Sequence, residues 1–257
     1  MKFGIVIPLK SKRISRDWAV TSAALEGTVN SIINQTNDNF VVAIAGHDCP
    51  GFLENLNDPR FKFVKVDYDA PNRNEPNFTN QELINDKVLK IMAAIIALKD
   101  ESLSWIYQLD SDDLMRNDFI SHVHEFPKSS AIIVEGGYLL YQSSKRVMET
   151  EEMDHLCGSV VIVDPSTFTF PLSADLKYIH DVPWTKYRHM NIYKFFEDKN
   201  LTVYRTKEKL LTYLLATGDN FSDRWRTGLI SNMKSLLKPY IYGKSLSQKY
   251  KNQFSIK

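Results

Sequence analysis

The chain has 257 residues, 43% hydrophobic and 25% charged, with a formal net charge of +1. That is enough to bury a large core in one α/β domain, or in one domain plus a tail, and it singles out no nucleic-acid partner. Two cysteines, Cys49 and Cys157, exclude a disulfide framework or a cysteine metal cluster and fit a cytoplasmic compartment, no apolar run approaches the ~18–20 residues of a membrane span, and Met1–Pro8 is too short for a signal sequence.

Phe3 to Pro8 is a short apolar run ended by proline and reads as a buried strand. Asp17 to Gln35 carries Trp18, Leu25, Val29 and Ile32 near helical spacing, with Ser15 as the expected N-cap. Phe40 to Gly46 is a second buried strand closed by glycine, and Phe61 to Val66 alternates as a third. A polar loop, Asp67 to Thr79, precedes a helix expected over Gln81 to Lys99 that buries Val88, Ile91, Met92 and Ile95. Trp105 to Leu109 is a fourth strand and runs into Asp110-Ser111-Asp112-Asp113, with a further helix from about Asn117. This alternation argues for an α/β fold with a mostly parallel, Rossmann-like central sheet covered by helices, which binds ligands at the carboxyl ends of its strands. Farther on, strands are expected at Ala131 to Tyr141, Ser159 to Val163, Leu201 to Tyr204 and Leu210 to Ala216, around an aromatic-rich helix over Pro183 to Lys199. They read as a smaller antiparallel extension of the sheet. From Arg224 to Lys257 there are eight Lys or Arg residues and no Asp or Glu, a basic tail on an acidic body. Such a tail meets an anionic surface or ligand, or serves only as a solubilising end.

Three carboxylates within four residues repel one another, and a bound cation or full exposure to water relieves that. A hard divalent ion, Mn²⁺ or Mg²⁺, takes one or two carboxylates plus substrate phosphate oxygens. On an extended segment Asp110 and Asp112 point the same way and address one ligand, while Asp113 faces elsewhere and caps the following turn or helix. The plain alternative is an acidic strand-to-helix turn with no ligand.

Ile7-Pro8 after the first strand and Leu109-Asp110-Ser111-Asp112-Asp113 after a later one resemble glycosyltransferases of the A-type fold, most closely the inverting, family-2-like bacterial polysaccharide enzymes. The resemblance covers roughly residues 1–225, with about 1–115 as the nucleotide-binding half, about 116–225 as the acceptor half, and 226–257 as a basic amphipathic tail. It implies that Pro8 and its neighbours line the base pocket, and that His47-Asp48 stands at the position of an acidic residue on the uracil or ribose. Asn85-Asp86-Lys87 would meet the nucleotide, Asp110 the ribose or the metal and its neighbour Ser111 the nucleotide sugar, and Asp112 would be the principal metal ligand. Cys157-Gly158-Ser159 resembles the small-residue segment beneath the donor sugar, and His180-Asp181 the family's Glu-Asp pair, which makes Asp181 the candidate general base. The sequence departs from the pattern at Gly46-His47-Asp48-Cys49-Pro50, where Asp-Asp-Gly-Ser is usual, and at His180.

Lys10, Lys12, Arg13 and Arg16 follow the first strand and can attract a diphosphate or an anionic acceptor, or form a solvated loop. His47 and His180 are each open to a plain structural role, and Asp181 to N-capping the helix at Pro183. Past the last strand, Asp219 is open to metal ligation, Arg224 or Arg226 to a diphosphate, and Trp225 to a sugar ring. Leu229 to Tyr240 suits a short amphipathic helix on an anionic membrane, or a helix packed on the domain. The expected activity is metal-dependent, inverting transfer from a nucleotide-diphosphate sugar, a UDP-sugar foremost, to a hydroxyl of a glycan or lipid-linked acceptor in surface polysaccharide synthesis. The rivals are a metal-dependent phosphatase and a non-catalytic nucleotide- or glycan-binding module of the same fold.

Overall fold

The computed structural model describes residues 1–215 and 238–256. Two sheets organise them. The larger has seven strands in the order β10-β6-β9-β4-β1-β2-β3. Its strands are β1 (Lys2–Pro8), β2 (Phe40–Gly46), β3 (Phe61–Lys65), β4 (Leu103–Gln108), β6 (Ala131–Val134), β9 (Val161–Val163) and β10 (Val203–Thr206). All its pairings are parallel except those of β9, which runs antiparallel to both β4 and β6. The smaller sheet has the order β12-β8-β7-β11-β5. It is built from β5 (Asp113–Met115), β7 (Gly137–Tyr141), β8 (Arg146–Thr150), β11 (Leu211–Leu215) and β12 (Lys244–Ser245), antiparallel except between β7 and β11. The α/β expectation, a mostly parallel sheet with an antiparallel-rich extension, holds.

The residues of β1 after Lys2 and all those of β2 are buried, which explains their unbroken apolar runs. Two long helices cover the sheet: α1 (Trp18–Ile33) and α3 (Asn80–Ala97). The N-cap of α1 is Asp17, whose carboxylate accepts from the backbone N–H of Ala19 at 2.8 Å, and not Ser15. Ser15 turns back instead, donating its hydroxyl to the Ser11 carbonyl at 2.9 Å. In α3 the Glu82 carboxylate reaches back to the Thr79 backbone N–H at 2.8 Å, and Val88, Ile91, Met92 and Ile95 are buried as their spacing requires.

The second half departs from expectation in three places. The single strand expected from Ala131 to Tyr141 is two, β6 and β7, because the chain crosses between sheets at Glu135-Gly136. A Cβ on Gly136 would lie 1.9 Å from the Lys207 carbonyl oxygen, so only glycine permits that crossing. The expected helix over Pro183 to Lys199 breaks into α6 (Pro183–Lys186), a short 3-10 turn at His189–Asn191, and α7 (Tyr193–Glu197). Its aromatic residues are weak helix formers, and burying Trp184, Phe195 and Phe196 against different neighbours outweighs helix continuity. Asp113 caps no helix: it begins β5 and is fully buried, while the next helix, α4, starts at Phe119. Short helices α2 (Gly51–Glu54) and α5 (Met153–Leu156) complete the body.

The C-terminal residues belong to the second sheet. β12 pairs with β8, and helix α8 (Gln248–Gln253) lays Tyr250 and Phe254 into a core of their own with Leu114, Leu140, Val147 and Leu214. Tyr250 and Thr212 share a buried 2.9 Å hydroxyl hydrogen bond, and the Asn117 N–H donates to the Gln253 carbonyl at 2.8 Å. Among the described residues no helix is long and apolar enough to cross a membrane. The boundary expected at 225/226 lies outside the described residues.

Phe254→Ala should lower stability by about 3–4 kcal/mol, since it empties a fully buried ring site in a small core. Urea unfolding checks this, and an unchanged midpoint would mean that the second core closes without the C-terminal helix.

Candidate functional site

β1, β2 and β4 are parallel, so their carboxyl ends open on one edge of the sheet. Pro8, paired with Ala45, is buried at the tip of β1. The loop after it is pinned across to β2, the Lys12 N–H donating to the Asp48 carboxylate at 2.8 Å. At the tip of β4, Leu109 still donates its N–H to Val6. The chain then turns: the Asp113 N–H donates to the Asp110 carbonyl at 3.2 Å, with Ser111 and Asp112 at the corner. The extended segment expected at Asp110 to Asp112 is therefore a tight turn, because Asp113 must start a strand of the other sheet.

The three acids receive three environments. Asp110 faces the Lys87 ammonium at 2.6 Å and accepts from the Gln108 amide at 2.7 Å. Burial pushes its carboxyl up, but Lys87 and Gln108 outweigh burial and hold it below the ordinary carboxylate value. Asp112 is half-buried, and burial with the adjacent Asp110 charge pushes it up to about 6, against the pull of Lys10 and Lys87. Asp113 is pushed far higher by burial and by both neighbouring acids. Its carboxyl accepts from the Ser159 hydroxyl at 2.6 Å and the Cys157 thiol at 2.9 Å. Ser159 joins the set by also accepting from the Asp110 N–H at 2.8 Å. Gly158 lies against the ion pair: a Cβ there would sit 2.8 Å from an Asp110 carboxylate oxygen and 3.3 Å from the Lys87 nitrogen. Lys87, Asp110, Gly158 and the Asp112 corner thus come together, with Lys10 close enough for its charge to act on Asp112.

A second polar cluster adjoins it on α3. The Lys90 ammonium, 1% exposed, meets the Asp86 carboxylate at 2.6 Å. The Tyr68 hydroxyl donates to Asp86 at 3.3 Å, His47 Nε2 lies 2.9 Å from the Tyr68 carbonyl, and His47 Nδ1 lies 3.9 Å from Asp86. Burial lowers the pKa of Lys90 despite Asp86, and burial together with the Lys90 charge lowers that of His47. Arg13, which reaches Glu75 at 3.6 Å, lines a cavity of about 370 Å³ with Tyr68, Asn72, Asn85 and Asp86. So His47, Asp48, Asp86 and Arg13 share one flank of the edge.

Asp181 is exposed, and its carboxylate makes no hydrogen bond or ion pair among the described residues. It does not cap α6, whose N-cap is Val182. The segment that follows it packs on β9 and α3: Trp184 donates to the Val161 carbonyl at 3.2 Å, and α6 contacts α3. His180 is exposed beside it. Arg224, with Asp219, Trp225, Arg226 and the start of the expected amphipathic helix, lies outside the described residues.

Sequence reasoning missed Lys90, Tyr68 and His189. Lys90 had a signal, four residues after Asp86 and flanked by Val88-Leu89 and Ile91-Met92, so that the pair falls on a buried helix face. His189, in the turn packed on α5, lies near enough to Asp110 for the two charges to interact, and burial lowers its pKa. Its position follows from the broken helix, which no local pattern announced.

Two adjacent carboxylates, one of them made harder to ionise by burial and by the other, could serve a divalent cation that completes its oxygen shell with substrate and water. Among the described residues no cluster of three or more His, Cys, Asp or Glu side chains could hold a metal alone.

No protein-family model matches the chain, and no curated protein matches it. Among solved structures it is similar to S. aureus TarS 1-349 in complex with UDP, at 16% identity and a TM-score of 0.46, covering 84% of this chain and 61% of that one. The complex of the same fragment with UDP-GlcNAc gives 13% identity and a TM-score of 0.45, covering 83% and 58%. Rv0371C from Mycobacterium tuberculosis H37Rv, complexed with manganese, gives 9% identity and a TM-score of 0.42, covering 88% and 97%. The chain thus spans about three fifths of the TarS fragment, and 41% of the longer TarS structure. Similarity of this degree assigns no family.

Ser159→Ala should destabilise the fold by about 2–3 kcal/mol, because it strips a partner from the buried Asp113 carboxyl and from the Asp110 N–H. A thermal or urea melt equal to that of the unmodified protein would show that the hydroxyl is not what holds the turn.

Proposed function

We propose that the chain is a metal-dependent glycosyltransferase that moves a sugar from a nucleotide diphosphate, a UDP-sugar foremost, to a hydroxyl of a glycan or lipid-linked acceptor, with inversion, in surface polysaccharide synthesis. One observation carries the reading. At the carboxyl end of β4, an acidic turn and a lysine face a glycine that leaves room for close approach, beside a polar cavity between the β1 loop and α3. A nucleoside diphosphate needs that combination: a cavity for the base and ribose, and paired charge control at the phosphates.

In this reading the cavity formed by Arg13, Tyr68 and Asp86, with His47, Asp48 and Pro8 behind it, takes the nucleoside. Asp110 and Asp112 would hold Mn²⁺ or Mg²⁺, with Ser111 at the ribose. When bound, the cation offsets the negative charge that builds on the departing diphosphate. Lys87 and Lys10 supply further positive charge at the same oxygens. Arg224 is proposed for the diphosphate as well. Gly158 lets the backbone approach the sugar. Asp181 takes the proton of the acceptor hydroxyl as that oxygen attacks the anomeric carbon.

Thermal-shift measurements should show UDP-sugars raising the melting temperature with Mn²⁺ present and much less without it. Asp112→Asn should remove that dependence and reduce transfer by on the order of a hundredfold or more. A variant that keeps full metal-dependent transfer would reject the ligand assignment. Asp181→Asn should lower kcat by about a hundredfold while leaving donor affinity near its original value. Equal kcat would remove Asp181 as the base.

A further inference from the structure

We infer that the helical turn at 238–243 is a membrane-docking element, which inserts Tyr240, Ile241 and Tyr242 into the interfacial layer of an anionic lipid bilayer. The inference is independent of the donor site. These three consecutive side chains are 61%, 67% and 69% exposed. Large apolar side chains grouped on a soluble surface mark a contact surface, whereas single ones need no explanation.

The group is not a frayed end. The Gly243 N–H donates to the Pro239 carbonyl at 2.9 Å. Arg146, on β8, donates Nε to the Pro239 carbonyl at 2.8 Å and Nη2 to the Gly243 carbonyl at 2.7 Å. Its guanidinium lies 5.7 Å from the centre of the Tyr240 ring. One arginine therefore grips both ends of the turn and fixes it to the second sheet. Side chains held outward by a clamped backbone lose little conformational freedom on docking.

Charge selects the occupant. Residues 238–256 contain Lys238, Lys244, Lys249 and Lys251 and no acidic residue. Glu149 is the acid facing the turn across a groove, and Lys209 and Lys244 engage it at 3.0 and 3.4 Å. Lys238, exposed, lines that groove beside Tyr242, and Lys249, exposed on α8 just after β12, adds to the positive charge of the same C-terminal stretch. Tyrosines beside lysines match the headgroup layer of a bilayer, where aromatic rings sit at the interface and each lysine gains from anionic lipid. A second copy of this chain fits less well, since a two-fold contact through the patch would set lysines against lysines. The patch borders β12, at the edge of the second sheet opposite β5 and the acidic turn, so docking would leave the site on β4 open.

The test is co-sedimentation of the full chain with vesicles of phosphatidylcholine alone and of phosphatidylcholine mixed with phosphatidylglycerol. Binding should be confined to the anionic vesicles and be released by high salt. The triple variant Tyr240→Ser, Ile241→Ser, Tyr242→Ser and the pair Lys238→Glu, Lys249→Glu should each weaken it by on the order of tenfold or more. Both should melt at the temperature of the unmodified protein, because the altered side chains are exposed; if the triple variant does not fold, the lysine pair decides. Absence of vesicle binding, or binding untouched by the lysine pair, would overturn the inference. So would sedimentation analysis showing a dimer that the triple variant dissociates, in the absence of vesicle binding.

Discussion

Three carboxylates in four residues can share a strand tip only if each is given a different way to manage its charge, and Ser159 makes that division possible. Its hydroxyl donates to Asp113 and accepts from the Asp110 backbone, so one small side chain holds the inward acid and fixes the start of the turn. With Asp113 buried and pushed toward its neutral form, the repulsion that remains lies between Asp110 and Asp112. Lys87 answers the first with a direct ion pair, while Lys10 and Lys87 act on Asp112 only through their charge. The arrangement depends on topology. Ser159 reaches β4 because β9 is inserted antiparallel between β4 and β6, and a purely parallel sheet would put a crossover there instead.

The Lys90–Asp86 pair shows the same logic with less exposure. Two charges removed from water are rarely a net source of stability, and they stay charged only when hydrogen bonds satisfy them. Here the Tyr68 hydroxyl and the ammonium share one carboxylate beneath the cavity floor. The pair thus fixes the orientation of Asp86, the one cavity-lining acid on α3 that is buried.

What could be read in advance follows from range. β1, β2 and β4 were legible because buried strands leave continuous apolar runs, and α3 because Val88, Ile91, Met92 and Ile95 recur at helical spacing. The acidic turn was legible as a cluster, but its shape was not, since the reversal at Ser111-Asp112 is dictated by where β5 must go. The same is true of the break between β6 and β7, where the chain passes so close to Lys207, some seventy residues away, that only glycine fits at position 136. His189 and Tyr68 were invisible for a related reason: each earns its place from a partner distant in sequence, Asp110 for the one and Asp86 for the other.

The two sheets also explain why the candidate site lies where it does. β4, β6 and β10 run in one direction in the first sheet, and each continues directly into a strand of the second: β5, β7 and β11. Three neighbouring crossings therefore close one edge of the large sheet, and the acidic turn is the first of them. A turn held by β4 on one side and by β5 on the other has little freedom to relax, so its carboxylates stand near one another in advance of any ligand. On the other side of β4 lie β1, β2 and β3, whose carboxyl ends lead into loops instead of strands, and the loops after β1 and β3 bound the cavity with α3. The edge is thus closed and rigid on one side of Asp110 and open on the other.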